Sequence, residues 1–218
     1  HAGPEIGVAS TKAFTTSLAN LYLLGLYLGQ CRCTLTPDRM RTLLDDLLAL
    51  PKLAGDGLDD GRQYEDLAGL FYKRENFLYL GRGINMPTAY EGALKLKEIS
   101  YIHSEAYPAG EMKHGVNALL AEDFPVFGIM TKNQLYEKMR SKIEEGRPRK
   151  TPTLLIADEG DERAKELAED VIYIPPTMEL LEPLLNTIPL QLFAYHVAVL
   201  LGRDVDRPRN LAKSVTVE

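Results

Sequence analysis

The stretch that decides the fold is FLYLGRGINMPTAYEGALKLKEISYI, residues 77–102. It opens on the apolar run Phe77–Leu80, turns at Gly81–Gly83, and continues as a helical pattern from Thr88 to Ile102. A short apolar run bounded by glycines is typical of a buried strand. The stretch therefore predicts a strand, a tight turn and a helix in succession.

The same alternation continues along the chain. Further strands are predicted at Val126–Met130, Thr153–Ala157 and Val171–Ile174, and helices at Asn133–Glu145, Glu162–Glu169 and Leu180–Leu201. Short apolar runs separated by helices indicate βαβ units and a parallel sheet that is covered on both faces. The sequence thus predicts an α/β fold, a three-layer αβα sandwich of the flavodoxin-like type.

The residues before residue 77 are predicted to be helical. The expected helices are 10–30, 38–50 and 64–74, with a Gly/Asp-rich loop at 52–61. Ser10 can cap the first helix through its hydroxyl. Pro51 is expected to stop the second helix, because proline lacks a backbone N–H.

Ala13–Gly29 is the most apolar stretch, and its length is near the lower limit for a membrane span. It nevertheless carries polar residues, namely Thr15, Thr16, Ser17 and Asn20. That polar content favours a helix buried against another domain or subunit over a membrane segment.

Composition narrows the classes of partner and cofactor. With 25 basic and 31 acidic residues the net charge is −6, which argues against nucleic-acid binding but permits a local cluster of donors around an anionic substrate. Cys31 and Cys33 stand alone, which predicts free thiols in a reducing cytoplasm rather than a metal site. We expect no cofactor, no metal and no membrane partner, and we see no secretory signal.

Polar residues follow each other at helical spacing within the opening stretch. Glu91, Lys95 and Glu98 form one stripe, which by itself is typical of a solvated face with i,i+4 ion pairs. Their helix follows the strand turn, so we expect it near the carboxyl edge of the sheet, where open α/β sheets bind ligands. A second cluster, Glu111–His114, follows a Pro-Ala-Gly turn. A carboxylate, an amine and an imidazole are the parts needed to move protons on a carbonyl sugar.

The last stretch, residues 203–218, shows no strong periodicity, and its composition alone is typical of a frayed terminus. Four apolar residues could instead anchor it, namely Val205, Leu211, Val215 and Val217. Pro208 would stiffen the approach to the tail.

Three segments, taken together, resemble signature segments of one enzyme family. They are EIGVASTKAFTT (Glu5–Thr16), EGALKLKEISYIHSEAYPAGEMKHG (Glu91–Gly115) and PRNLAKSVTVE (Pro208–Glu218). The family is glucosamine-6-phosphate synthase, the isomerising glutamine:fructose-6-phosphate amidotransferase. The resemblance implies that residues 1–36 are the remnant of a first sugar isomerase (SIS) domain, 37–202 the second SIS domain, and 203–218 the catalytic tail.

The resemblance also implies the reaction and the roles of residues. The family makes glucosamine 6-phosphate from fructose 6-phosphate and glutamine. Glu98 matches the base that moves a proton between C1 and C2, and Lys95 an accessory lysine one turn before it. Lys213 matches the tail lysine that meets the substrate carbonyl and can form a Schiff base. His114 matches the residue of ring opening, which the family contributes across a dimer interface.

Positions that line the sugar site are matched by Glu5, Val8, Ser10 and Ala212. Moving a C–H proton requires a carboxylate with little water around it, and such a site raises the carboxyl pKa. Val116 stands where the family often has proline, which loosens that turn.

The resemblance further implies a cytoplasmic homodimer. The chain is expected to lack the glutaminase domain and the Ser/Thr-rich phosphate loop of the first SIS domain, and hence to be inactive or incomplete alone. Two alternatives stay open: a fructosamine-6-phosphate deglycase-like SIS enzyme, which the synthase-type tail disfavours, and a non-catalytic sugar-phosphate-binding SIS module. The presence of Glu98 and His114 disfavours the module.

Overall fold

In the computed structural model, which describes residues 2–56, 58 and 61–213, the strands form one five-stranded sheet. They are β1 Asn76–Gly81, β2 His103–Pro108, β3 Val126–Ile129, β4 Thr153–Asp158 and β5 Asp170–Ile174. Their spatial order is β2-β1-β3-β4-β5, and every neighbouring pair is parallel. The predicted α/β fold with a parallel sheet is confirmed.

Helices cover both faces of this sheet. They are α1 Lys12–Cys31, α2 Pro37–Asp56, α3 Gly61–Phe71, α4 Asn85–Ser100, α5 Tyr136–Gly146, α6 Glu162–Lys165 and α7 Glu182–Leu200. Successive side chains of a strand point to opposite faces. In β1, Phe77 and Tyr79 therefore join the core formed with α3, α4 and α7, whereas Leu78 and Leu80 join the core formed with α5 and α6. The predicted three layers follow from this alternation.

One strand was not predicted. β2 alternates exposed His103 and Glu105 with buried Ser104 and Ala106, and it pairs only with β1 at the edge of the sheet. An edge strand buries one face, so its sequence lacks the continuous apolar run that marks the inner strands.

The expectation that Pro51 stops the second helix was wrong, because α2 continues through it to Asp56. Beyond the proline, Leu53 and Ala54 pack against the core beside Leu50. The gain from burying this face outweighs the backbone hydrogen bond that proline removes. By contrast, α6 ends at Lys165, earlier than the sequence pattern indicates.

α7 is the central helix of its layer. Within the described residues, Glu179–Leu200 is long and apolar enough to cross a membrane, with a mean hydropathy of 1.3, but 56% of that window is buried inside the protein. It packs on α3 and α4, and Phe193 contacts the rings of Phe71, Phe77 and Phe127 edge-on. This burial is that of a core helix.

The turn between β1 and α4 determines where α4 lies. A Cβ at Gly81 would collide with the backbone of Asn85 and Met86, so only glycine lets the helix begin directly above the strand end. α4 then runs antiparallel to β1 for 16 residues, about 24 Å at 1.5 Å per residue. Its last turn therefore lies at the amino end of the sheet, where β2 begins.

Candidate functional site

The polar stripe of α4 is buried. Glu91 is only 7% exposed and Lys95 only 3%. The Lys95 ammonium lies 2.7 Å from Glu98 Oε2 and 3.4 Å from Glu91 Oε1, and it donates a hydrogen bond to the Ser10 carbonyl oxygen at 2.9 Å. The expectation of a solvated helix face was wrong, because the chain before α1 covers this face.

The two carboxylates of the stripe differ in their burial. Burial raises the pKa of Glu91, an effect that the neighbouring Lys95 ammonium partly offsets. Glu98 retains 20% side-chain exposure and is therefore the carboxylate of the pair that a ligand can reach. Lys95 is the one cation within ion-pair distance of either carboxylate among the described residues.

The stripe lies at the other edge of the sheet from the one predicted. Lys95 and Glu98 are in the second half of α4, and α4 begins at the carboxyl edge. That edge is instead filled by Glu182, whose Oε2 accepts hydrogen bonds from buried Asn85 at 2.7 Å and buried Thr131 at 2.6 Å. Asn133 donates a third hydrogen bond to the same oxygen at 3.0 Å. Glu182 thus occupies these three donors, while a cavity of about 560 Å³ beyond the ends of β3 and β4 is lined by Lys132, Gln134 and Arg163 among others.

Glu5 anchors the chain that covers the stripe. Its Oε1 accepts hydrogen bonds from the backbone N–H groups of Thr11 at 3.0 Å and Ala13 at 3.1 Å, so Glu5 caps α1. The predicted cap was Ser10, but α1 begins at Lys12 and Ser10 contributes its carbonyl to Lys95 instead.

Lys213 reaches the same carboxylate from the tail. Its ammonium lies 2.7 Å from Glu5 Oε2 and also donates hydrogen bonds to the carbonyl oxygens of Gly7 at 3.2 Å and Val8 at 3.4 Å. The Lys213 hydrogen bond, followed by those from Ala13 and Thr11, lowers the pKa of Glu5 to about 2.

The tail follows an ordered path up to Lys213. The carbonyl of Asp206 accepts the N–H of Val8 at 2.9 Å, and Val205 packs against the core. Of the other predicted anchors, Leu211 is 45% exposed, and Val215 and Val217 lie outside the described residues.

A cavity of about 320 Å³ lies between the segment before α1, α4, α7 and the tail. The polar side chains in its lining come from Glu5, Thr11, Lys12, Lys95, Gln191, Tyr195 and Asp206. Gln191 Nε2 is buried with no hydrogen-bond partner among the described residues. Sequence analysis missed Gln191 and Tyr195, although their i,i+4 spacing on α7 would have placed them on one face.

His114 stands apart from these groups. Its side chain is 73% exposed, lies 3.6 Å from Glu111, and is not part of the cavity lining. Contacts bring together Glu5, Val8, Ser10, Lys95, Glu98 and Lys213, with Ala212 adjacent to Lys213 in the chain, whereas His114 contacts Glu111. Of the residues brought together, Glu5 and Lys95 line the cavity. No group of metal-binding side chains occurs in the described part of the chain, and Cys31 and Cys33 are exposed and unbridged.

Comparison with known proteins gives a consistent result. A family model for the SIS domain matches residues 70–201. Over all 218 residues the chain is 54% identical to the glutamine--fructose-6-phosphate aminotransferase (isomerizing) of Thermus thermophilus, and it spans 36% of that protein's length. Among solved structures, the C-terminal domain of glucosamine-fructose-6-phosphate aminotransferase from Francisella tularensis is 38% identical with a TM-score of 0.88, covering 94% of this chain and 58% of that one.

A more distant solved structure shares the fold alone. Glucosamine-6-phosphate deaminase from Thermotoga maritima is 22% identical, with a TM-score of 0.70 over 97% of this chain and 59% of that one.

Replacing Lys95 tests the buried ion cluster. Lys95→Met leaves Glu91 and Glu98 without a cation, so we expect the free energy of unfolding at pH 7 to fall by about 3–5 kcal/mol. Lys97→Met, on the exposed face of the same helix, is the matched control and should stay within about 0.5 kcal/mol of the parent. Urea denaturation measures both. Equal midpoints for the two variants would show that the cluster contributes no net stability.

The Glu5 contact makes a pH-dependent contribution. With a pKa of about 2 in the folded chain against an ordinary 4.5, Glu5 stabilises the fold fully above about pH 5, and this contribution is lost as the pH falls toward 2. Carboxyl-carbon NMR should therefore show Glu5 titrating near pH 2. In Lys213→Met, Glu5 should titrate at a higher pH than in the parent chain, because it has lost the Lys213 hydrogen bond. It should still titrate below 4.5, because the N–H groups of Thr11 and Ala13 continue to donate to it. A Glu5 titration near 4.5 in the parent chain would refute the contact.

Proposed function

The chain belongs to the SIS domain family, and from this premise we propose that it forms the isomerase site of a glutamine:fructose-6-phosphate amidotransferase. The substrate is fructose 6-phosphate, the product is glucosamine 6-phosphate, and glutamine supplies ammonia through a glutaminase domain outside this chain. Support comes from 54% identity over all 218 residues to a protein of that name. The observation that carries the proposal is the Lys95–Glu98 pair held at 2.7 Å beside the tail lysine's anchor.

We assign the proton transfer to Glu98. A general base must be held in place and still be reached by the substrate. Glu98 meets both conditions, because Lys95 fixes one of its oxygens while the side chain keeps 20% exposure. In the proposed step, Glu98 removes a proton from C1 and returns it to C2. Lys95 is the accessory residue that orients this carboxylate.

Lys213 is the proposed nucleophile. Its amine adds to the substrate carbonyl and releases water to form a Schiff base, which ammonia can then displace. Only a neutral amine attacks, and Lys213 lies in an ion pair with Glu5. Glu5 is a poor acceptor for a proton from Lys213, because its pKa is about 2. Lys213 must therefore leave Glu5 and lose its proton elsewhere, so the observed contact represents the resting arrangement.

The sugar is proposed to lie against Glu5, Val8, Ser10 and Ala212. Ser10 contacts Lys95, Glu5 and Val8 contact Lys213, and Ala212 precedes Lys213 in the chain. The phosphate end of the substrate would be held by a first SIS domain. In this division, residues 1–36 belong to that first domain, 37–202 form the second SIS domain, and 203–218 form the catalytic tail of a cytoplasmic enzyme.

We propose that His114 acts across a homodimer interface. Its side chain is 73% exposed and pairs with Glu111 rather than with Lys95, Glu98 or Glu5. We therefore assign its role in ring opening to the substrate of a second copy. α1 also presents uncovered apolar side chains, with Leu21 63% exposed, Leu24 50% and Tyr27 61%. An apolar patch of this kind is typical of a surface that associates.

The dimer has a direct test in the mass of the particle in solution. At micromolar concentration, light scattering should give at least twice the 24.3 kDa of one chain. Leu24→Lys, which places a charge on the exposed face of α1, should lower that mass, whereas Leu48→Lys on α2 should not. A clean monomer for the parent chain would contradict the proposal.

The base has a test in the full-length protein. Glu98→Gln keeps shape and hydrogen bonding but cannot accept a C–H proton, so we expect glucosamine 6-phosphate formation to fall by at least about 100-fold. Glutamine hydrolysis should stay near normal, because that chemistry lies in another domain. Glu105→Gln, on the exposed face of β2, is the control. Near-normal product formation by Glu98→Gln would remove Glu98 from the reaction.

A further inference from the structure

Tyr101 ends α4 in a backbone conformation that is unusual for its type. Its φ is 70°, in the left-handed region, and its N–H donates to the Lys97 carbonyl oxygen at 3.2 Å. A bulky residue rarely adopts this conformation, and glycine is the common choice at a helix end. A strained tyrosine persists where the contacts of its side chain hold it in place.

The Tyr101 side chain holds the tail at three points. Its hydroxyl oxygen accepts the backbone N–H of Arg209 at 2.8 Å. The guanidinium of Arg209 lies 4.3 Å from the centre of its ring, and that of Arg203 lies 5.0 Å from it. Both distances are within the range of cation–π attraction. One ring thus binds both ends of the segment 203–209.

The segment between these arginines is shaped to present them. The Asp204 Oδ1 accepts the N–H groups of Asp206 and Arg207, each at 3.0 Å, which forms a turn. Pro208 is buried directly before Arg209. Asn210 then adopts a φ of 61°, which redirects the chain toward Lys213. The course of the last described residues therefore starts from the Tyr101 contacts.

We propose that Tyr101 is a positioning residue that ties the catalytic tail to the end of α4, three residues after Glu98, and so sets the reach of Lys213. The effect of Tyr101 on catalysis rests on the function proposed above, whereas its role in holding the tail does not. Without Tyr101, the tail keeps the hydrogen bond from Val8 to the Asp206 carbonyl and the packing of Val205, both of which precede Arg209. Lys213 keeps its contacts with Glu5, Gly7 and Val8, which it must release to react. The Tyr101 contacts can persist through that release.

The structural part is tested in the 218-residue chain. Hydrogen exchange of the Arg209 amide, followed by NMR, should be about tenfold faster in Tyr101→Phe, which loses the hydroxyl acceptor but keeps the ring. Tyr101→Leu should accelerate it further. Tyr101→Gly removes the side chain and the backbone strain together, so it can replace the leucine variant in this measurement if that variant fails to fold. Tyr90→Leu, exposed on the same helix, should leave the amide unchanged. Unchanged Arg209 exchange in Tyr101→Gly overturns the proposal.

The catalytic part is tested in the full-length protein. We expect Tyr101→Gly to lower kcat for glucosamine 6-phosphate about 10–100-fold, the scale of a misplaced catalytic group. KM for fructose 6-phosphate and glutamine hydrolysis should change little, a split that general loss of structure would not give. Lys213→Ala distinguishes the positioning role of Tyr101 from the proposed function of Lys213. If it abolishes synthesis while Tyr101→Gly does not, the positioning role is wrong; if both variants stay active, the proposed function of Lys213 fails as well.

Discussion

The site depends on the burial of one lysine between two carboxylates. A charged group taken out of water is costly unless it is paired and hydrogen-bonded, and Lys95 obtains its partners from Glu91 and Glu98 on its own helix and from the Ser10 carbonyl outside it. The Ser10 contact fixes the segment before α1 over α4. Glu5 in that segment then caps α1 and receives Lys213 from the tail. The tail and the helix that bears Glu98 therefore meet because Lys95 requires a cover.

The two edges of the sheet carry different kinds of polar cluster. At the carboxyl edge, Glu182 is satisfied by Asn85, Thr131 and Asn133, so its charge is enclosed and its donors are already used. Toward the amino edge, Lys95 pairs with Glu91 and Glu98 beside the cavity of about 320 Å³. The first cluster encloses its carboxylate, whereas the second leaves Glu98 partly exposed.

The tail combines strain with weak contacts. Tyr101 holds a left-handed backbone, and the contacts that compensate are a hydrogen bond and two cation–π interactions at partly exposed side chains. Interactions of this kind are individually modest, so a segment held by them can be ordered and still change position. The role proposed for Lys213, which would have to leave Glu5 before it reacts, requires that combination.

Sequence alone determined the layered fold, because apolar runs such as Phe77–Leu80 and the helical periods between them report directly on which faces are buried. The resemblance of three segments identified Glu98, Lys95, Lys213 and Glu5 as site residues. The spacing of Lys95 and Glu98 placed these two on one stripe of a helix. Tertiary structure decided the rest. Whether that stripe meets water or protein depends on residues about 85 positions away, as Ser10 and Lys95 show, and local periodicity carries no information on such contacts. For the same reason Pro51 did not end α2, the edge strand β2 went unpredicted, and the site lies at the amino edge: packing between distant segments, not local propensity, sets those outcomes.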